Sequence, residues 1–174
     1  MESIDLIRPS MEYDDEIMSL REELLAAMDA DDFAGCSNLD EYETTAQWLE
    51  HLWTLENRLL PHVPSTAYMA VRKGDGRVVG LIDLRHHIDH PVLGEWGGHM
   101  GYSVRPSERG KGYGREMLRL NLENCRMRGL ARVLITCSRE NTASEGVILA
   151  NGGKFERETC VGSEVIKRYW IELA

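Results

Sequence analysis

The chain has 174 residues, 43% of them hydrophobic and 28% charged, and a net charge of −9. That length and mix suit one globular domain spanning residues 1–174, with enough chain for a sizeable core. The acidic balance argues against nucleic acid or an anionic membrane as partner, and no apolar run approaches membrane-spanning length. Ile4 and Leu6 alternate with Asp5 and Ile7 in a first strand that Pro9 ends. From Tyr13 to Met28, Ile17, Leu20, Leu24 and Met28 mark one face of a helix, and the acidic run Asp14-Asp15-Glu16 suits its start. Asp29 to Glu43 reads as an acidic loop. Thr44-x-x-Gln47 then reads as a capping box for a second helix through Trp48, Leu52, Leu55 and Leu59, closed by Pro61 and Pro64.

Two strands, Thr66–Lys73 and Arg77–Arg85, flank the hairpin signal Gly74-Asp75-Gly76. His86 to Gly98 is a longer connection, and Gly98–Val104 a further strand that Pro106 stops. Gly114, Met117, Leu118, Leu122 and Cys125 share one face of a helix that begins at Gly112 and ends at Gly129. Arg132–Cys137 is a buried strand. Asn141 to Asn151 is helical, with Val147 and Ile148 inward and Gly152-Gly153 beyond its end. Strands Lys154–Cys160 and Val165–Ile171 finish the chain.

Cys36, Cys125, Cys137 and Cys160 form no C-x-x-C pair, as in a reduced cytoplasmic protein. The first residues lack the basic and apolar regions of a signal peptide. His86, His87 and His90 cluster, but no cysteine or evident carboxylate joins them, so no metal is expected.

The informative stretch is Arg109-Gly110-Lys111-Gly112-Tyr113-Gly114, a glycine-rich turn between a strand and a helix. A helix start carries unpaired N–H groups and partial positive charge; Arg109, Lys111 and Arg115 add formal charge, and glycines let a ligand approach the backbone. The turn therefore suits a phosphate or pyrophosphate. It is not a Walker A loop, and a dinucleotide fingerprint fails because Arg115 stands where the third glycine belongs.

What fits is [RQ]-x-x-G-x-[GA], met by Arg109, Gly112 and Gly114 behind Val104-x-Pro106. This resembles the acetyl-CoA loop of the GNAT N-acetyltransferase superfamily, and the element order resembles that fold along nearly the whole chain. The stretches GYSVRPSERGKGYG, VLITCSREN and KRYWIEL resemble a bacterial subgroup of uncharacterised acetyltransferases.

The resemblance implies an α/β fold, a mixed twisted sheet of about seven strands with helices on both faces. It implies acetyl-CoA as cosubstrate, with its pyrophosphate on the backbone of Gly110, Gly112 and Gly114 beside Arg109, Lys111, Tyr113 and Arg115. The backbone of Tyr102, Ser103 and Val104 would meet the pantetheine on a splayed strand edge, with Asn141 and Ser144 flanking the ligand. It implies transfer of acetyl to a primary amine of a small molecule or an amino terminus. Relatives often carry a Glu on the strand before the loop or on the next strand; here those places hold Gly98, Met100 and Thr136. A Tyr common on the later helix is Ile148 here.

The candidate base is therefore Glu95 or His99, reached through water; the candidate acids are Tyr102, Ser144 and Tyr169, or solvent itself protonates the thiolate. Trp48, Trp53 and Phe33 are candidates for an acceptor wall or for plain core. The missing Glu and Tyr keep open an alternative, a catalytically weak acyl-CoA-binding or sensing module. Expected partners are an amine acceptor and at most a second copy of the chain.

Overall fold

The computed structural model describes residues 2–27, 33–59 and 62–173. Met28, the stretch 29–32 of the acidic loop, and Pro61 lie outside the described residues. In chain order the elements are Ile4–Ile7 (β1), Asp14–Ala27 (α1), Thr45–Glu56 (α2), Ser65–Arg72 (β2), Val78–Arg85 (β3) and Tyr102–Val104 (β4). Tyr113–Met127 (α3), Arg132–Ser138 (β5), Thr142–Ala150 (α4), Lys154–Val161 (β6) and Glu164–Glu172 (β7) follow.

Local chemistry sets most boundaries. Thr44 caps α2 by accepting the Gln47 N–H at 3.3 Å. The helix ends at Glu56, three residues short of the expected Leu59, because Asn57 turns its side-chain amide back onto Trp53 O at 2.8 Å. Leu59 is 82% exposed. In the β2–β3 hairpin, Arg72 clamps Asp75 with bonds of 2.9 and 2.6 Å.

The seven strands form two antiparallel sheets, β1-β2-β3-β4 and β5-β7-β6. Two cores lie against them. Ile17, Leu20 and Leu24 of α1 and Trp48, Leu52 and Leu55 of α2 pack with Met69 and Leu81 on one face. Met117, Leu118 and Leu122 of α3 and Ile148 of α4 pack with Ile82, Leu84, Val133 and Ile135 on the other. Helices thus cover both faces, and the strand side chains alternate between the cores. Trp48 is fully buried and donates its indole N–H to Cys36 O and Ser37 O, whereas Trp53 is 68% exposed.

The sheets meet at His99 and Leu134. The His99 N–H donates to Leu134 O at 2.8 Å, and the Leu134 N–H donates to His99 Nδ1 at 2.9 Å. One residue so satisfies both main-chain groups of Leu134, one of them with a side chain. No further backbone hydrogen bond joins β4 to β5 among the described residues, and the two strands part.

The expected strand Gly98–Val104 is regular only over Tyr102–Val104. Its earlier part still bonds β3, through Arg85 N–H to His99 O at 2.7 Å and Asp83 N–H to Gly101 O at 3.1 Å. The Gly101 N–H goes to the Asp83 carboxylate instead of a carbonyl. Gly101 also lies against Gly35. A Cβ on Gly35 would stand 2.1 Å from Gly101 O, so the segment before α2 rests on this strand only because both residues are glycine.

Candidate active site

Where β4 and β5 part, a cleft of about 860 Å³ opens, lined from both faces of the sheet. Its walls are Tyr102–Val104 on β4 and Thr136–Ser138 on β5; Gly110, Gly112 and Gly114 stand at its mouth with Asn141 and Ser144. Ladder alternation determines what β4 offers. Arg105 N–H bonds Val79 O at 2.8 Å and Gly101 O receives the Asp83 N–H, so the odd-numbered residues turn their main chain to β3. Tyr102 and Val104 therefore turn theirs to the cleft. Val104 O is met by Arg109 Nε at 3.2 Å.

The mouth holds two helix starts of opposite character. Asn141 caps α4, its Oδ1 accepting the Ser144 N–H at 2.9 Å. Gly112 precedes α3 with φ of +89° and no side-chain cap. That backbone region disfavours any residue with a Cβ. The first N–H groups of α3 consequently face the mouth without a capping side chain, beside the exposed Arg109 and Arg115. Lys111, also expected to meet phosphate, has its ammonium on Glu108 at 2.9 Å. Glu108 is a buried carboxylate that Arg72 also meets, at 3.0 Å. These cations hold it below the usual carboxylate range against the opposing effect of burial. Tyr113 is buried with its hydroxyl toward Arg72, and Gly114 lies against Val104 and Val147.

Tyr102 and Ser144 join across the cleft wall, hydroxyl to hydroxyl at 2.7 Å. Burial pushes the Tyr102 phenol upward, so it keeps its proton at neutral pH. Tyr169 is committed elsewhere, since its hydroxyl donates to the Glu145 carboxylate, which also binds Lys167.

Neither expected base, Glu95 or His99, is among the residues lining the cleft, and each is bonded elsewhere. The Glu95 carboxylate is held by Arg157 at 2.8 Å and by Thr159 at 2.8 Å, which keep it below the usual carboxylate range. His99 is buried, and burial lowers its pKa to about 4 while its Nδ1 is taken by Leu134. It stitches the sheets together. The histidine cluster is dispersed: His86 bonds Thr66, His87 meets the Asp89 N–H, and His90 accepts from Val92. Phe33 packs on the α1–α2 core and, like Trp48 and Trp53, lies outside the cleft lining.

The sequence reading assigned no part in the site to four residues. Arg105, fully buried, donates to Val78 O, Ser19, Glu16 and Glu23, and so pins α1 to the end of β4. Thr136 donates to Trp96 O at 2.6 Å within the cleft. Cys137 lines it from β5, and Arg85 lines it from the end of β3. Only period-two alternation along 78–85, which puts Arg85 on the face of Leu81, was available to find the last.

Residues 6–154 match the family model described as an acetyltransferase (GNAT) domain, and the chain belongs to that family. No curated protein matches it in sequence. Among solved structures it is similar to a *Salmonella typhimurium* acetyl transferase that modifies the N-terminal serine of a 50S ribosomal subunit protein. The identity there is 15%, the TM-score 0.66, and 98% of this chain and 95% of that one are covered. A microcin C7 self-immunity acetyltransferase in complex with acetyl-CoA and AMP is similar at 16% identity and TM-score 0.68, covering 99% and 93%. A *Vibrio cholerae* spermidine N-acetyltransferase chimera is similar at 14% identity and TM-score 0.65, covering 98% and 95%. The common GNAT fold is what these likenesses establish.

Proposed function

We propose that the chain is an acetyl-CoA-dependent N-acetyltransferase whose acceptor is a primary amine of a small molecule or an amino terminus. The observation that carries this reading is the parted β4–β5 cleft ending on the uncapped start of α3. Acetyl-CoA fits the residues present. The N–H groups at Gly110, Gly112 and Gly114 with Arg109 and Arg115 suit its pyrophosphate, and the cleft-facing main chain of Tyr102 and Val104 suits the pantetheine and thioester oxygen. Complexes of the microcin-immunity enzyme and of *Salmonella typhimurium* yncA with acetyl-CoA lend support.

In this reading the acceptor nitrogen attacks the thioester carbonyl, the carbon–sulfur bond breaks, and the thiolate takes a proton from the Tyr102–Ser144 pair. Glu95 and His99 stand aside, so the amine reacts from its neutral fraction and loses its proton to water in the cleft. The cleft's carboxylates, Glu108, Glu140 and Glu164, belong to the glycine turn, the approach to α4 and the β6–β7 hairpin.

Thiol release from acetyl-CoA with an amine panel tests the reading, with calorimetry of acetyl-CoA binding alongside. With a reactive amine, kcat/KM should climb with pH up to the acceptor's own pKa, without a break between pH 4 and 7. No acetyl-CoA binding at millimolar ligand would refute the whole reading. A second reading, an acyl-CoA-binding module with little turnover, draws on the same commitment of Glu95 and His99 elsewhere. Tight binding without thiol release from any amine would select it.

A further inference from the structure

One charged group on the cleft has no part in the chemistry above. Arg85 ends β3, and alternation puts it with Leu81 and Asp83 on the face covered by α1 and α2, the face away from α3. Its Nη1 donates to Gly97 O at 2.5 Å and to Gly98 O at 3.1 Å, and its Nε lies 3.3 Å from the Asp83 carboxylate. These partners fix the plane of the guanidinium. Its Nη2 donates to nothing among the described residues, and the side chain is 23% exposed where it lines the cleft.

Beside the Asp83 carboxylate, which meets Nε and accepts the Gly101 N–H, the cleft lining at that end is uncharged. Ala34, Met100 and Thr136 line it with Trp96, which is 38% exposed. A guanidinium already held by its neighbours loses little freedom when Nη2 donates to a further partner, and charge-assisted bonds to carboxylates are the strong ones. The same charge repels an acceptor that bears a second cation.

We propose that Arg85 binds a carboxylate on the acceptor, so that the substrate class is a small amine also carrying a carboxylate, an amino acid, with its hydrocarbon part against Trp96. This rests on the N-acetyltransferase reading and narrows it.

The test measures thiol release from acetyl-CoA with amino acids and, side by side, their decarboxylated amines, in the full chain and in Arg85→Met and Arg85→Lys. The expected result is a kcat/KM at least 30-fold higher for the best amino acid than for its decarboxylated counterpart. That ratio should fall to near 1 in Arg85→Met, mainly through KM, and recover in part in Arg85→Lys. A charge-assisted contact is worth about 10- to 100-fold. Melting temperature and the KM for acetyl-CoA serve as controls for both variants, since loss of the Gly97 and Gly98 bonds alone would lower stability without changing the ratio. Decarboxylated amines reacting as well as amino acids, a ratio unchanged in Arg85→Met, or no turnover of any amino acid would each overturn the assignment. In the first two cases the acetyltransferase reading survives; absence of acetyl-CoA binding would remove both.

Discussion

The two ends of the β4–β5 cleft are built on opposite plans. At the apex the chain bonds to itself, leaving Nη2 of Arg85 open to the cleft: Leu134 is satisfied twice by His99, Arg85 is clamped by Gly97 and Gly98, and Thr136 by Trp96 O. At the mouth, α3 begins behind a glycine with no side-chain cap. An apex whose polar groups are bonded to one another can hold two strands apart at a fixed angle. A mouth with unanswered N–H groups is built for something outside the chain. The contrast recurs within the mouth, where α4 is capped by its own Asn141 and α3 is not. Changes at the mouth should therefore damage acetyl-CoA binding before stability, and changes to the His99–Leu134 junction at the apex should damage stability before acetyl-CoA binding.

The largest effect should come from Gly112→Val. A side chain there projects into the phosphate approach and removes two or three N–H bonds, about 3 kcal/mol, or roughly 100-fold in acetyl-CoA affinity. Holding valine in the left-handed region costs about 1–2 kcal/mol of stability. Calorimetry and thermal melting separate the two quantities. A variant that binds acetyl-CoA as the parent does would erase the distinction between mouth and apex.

At the apex, His99→Leu leaves the buried Leu134 N–H without an acceptor, at about 1–3 kcal/mol of stability. The parent should also carry a pH signature. The folded ring titrates at about 4 and the unfolded one near 6.5, so the unfolded chain takes up the proton first. This contribution to stability is complete above about pH 6.5 and is lost as pH falls toward 4. His86, also lowered to about 4 by burial, acts in the same direction, so His99→Leu should weaken the acid sensitivity and leave a remainder. Denaturant melts at pH 7 and pH 5 give the comparison. Equal losses for parent and variant would mean that His99 does not couple the sheets.

The smallest effect sharpens the comparison of the two helix starts. Asn141→Ala removes the α4 cap and should cost about 1 kcal/mol of stability. Its effect on acetyl-CoA affinity should stay below about tenfold. A larger loss of affinity than Gly112→Val would mean that α4, and not α3, holds the anion.

The same contrast explains what was legible beforehand. The mouth is local: Val104 to Gly114 is one strand–turn–helix passage, and the Asn141 cap closes on Ser144, three residues on. Such relations are written in residue type and spacing. The apex is not local. His99 meets Leu134 across 35 positions, and Thr136 meets Trp96 across 40. Proximity along the chain suggested Glu95 and His99 as bases, but a π-helical turn over Leu93–Gly97 carries Glu95 to Arg157, and burial turns His99 to Leu134. The splay of the strands was invisible for the same reason, since it depends on one imidazole accepting a backbone N–H from another sheet. The elements themselves followed from periodicity, and the early end of α2 is the work of Asn57, whose side chain satisfies the last turn.

The central claim is that acetyl-CoA lies between the parted strands with its pyrophosphate on the start of α3. A crystal structure of the full chain with CoA bound tests it most directly. The account predicts phosphate oxygens on the N–H groups of residues 110–114 and the pantetheine between Tyr102–Val104 and Thr136–Ser138. CoA bound at any other surface, or β4 and β5 closed into one continuous ladder in its presence, would contradict it.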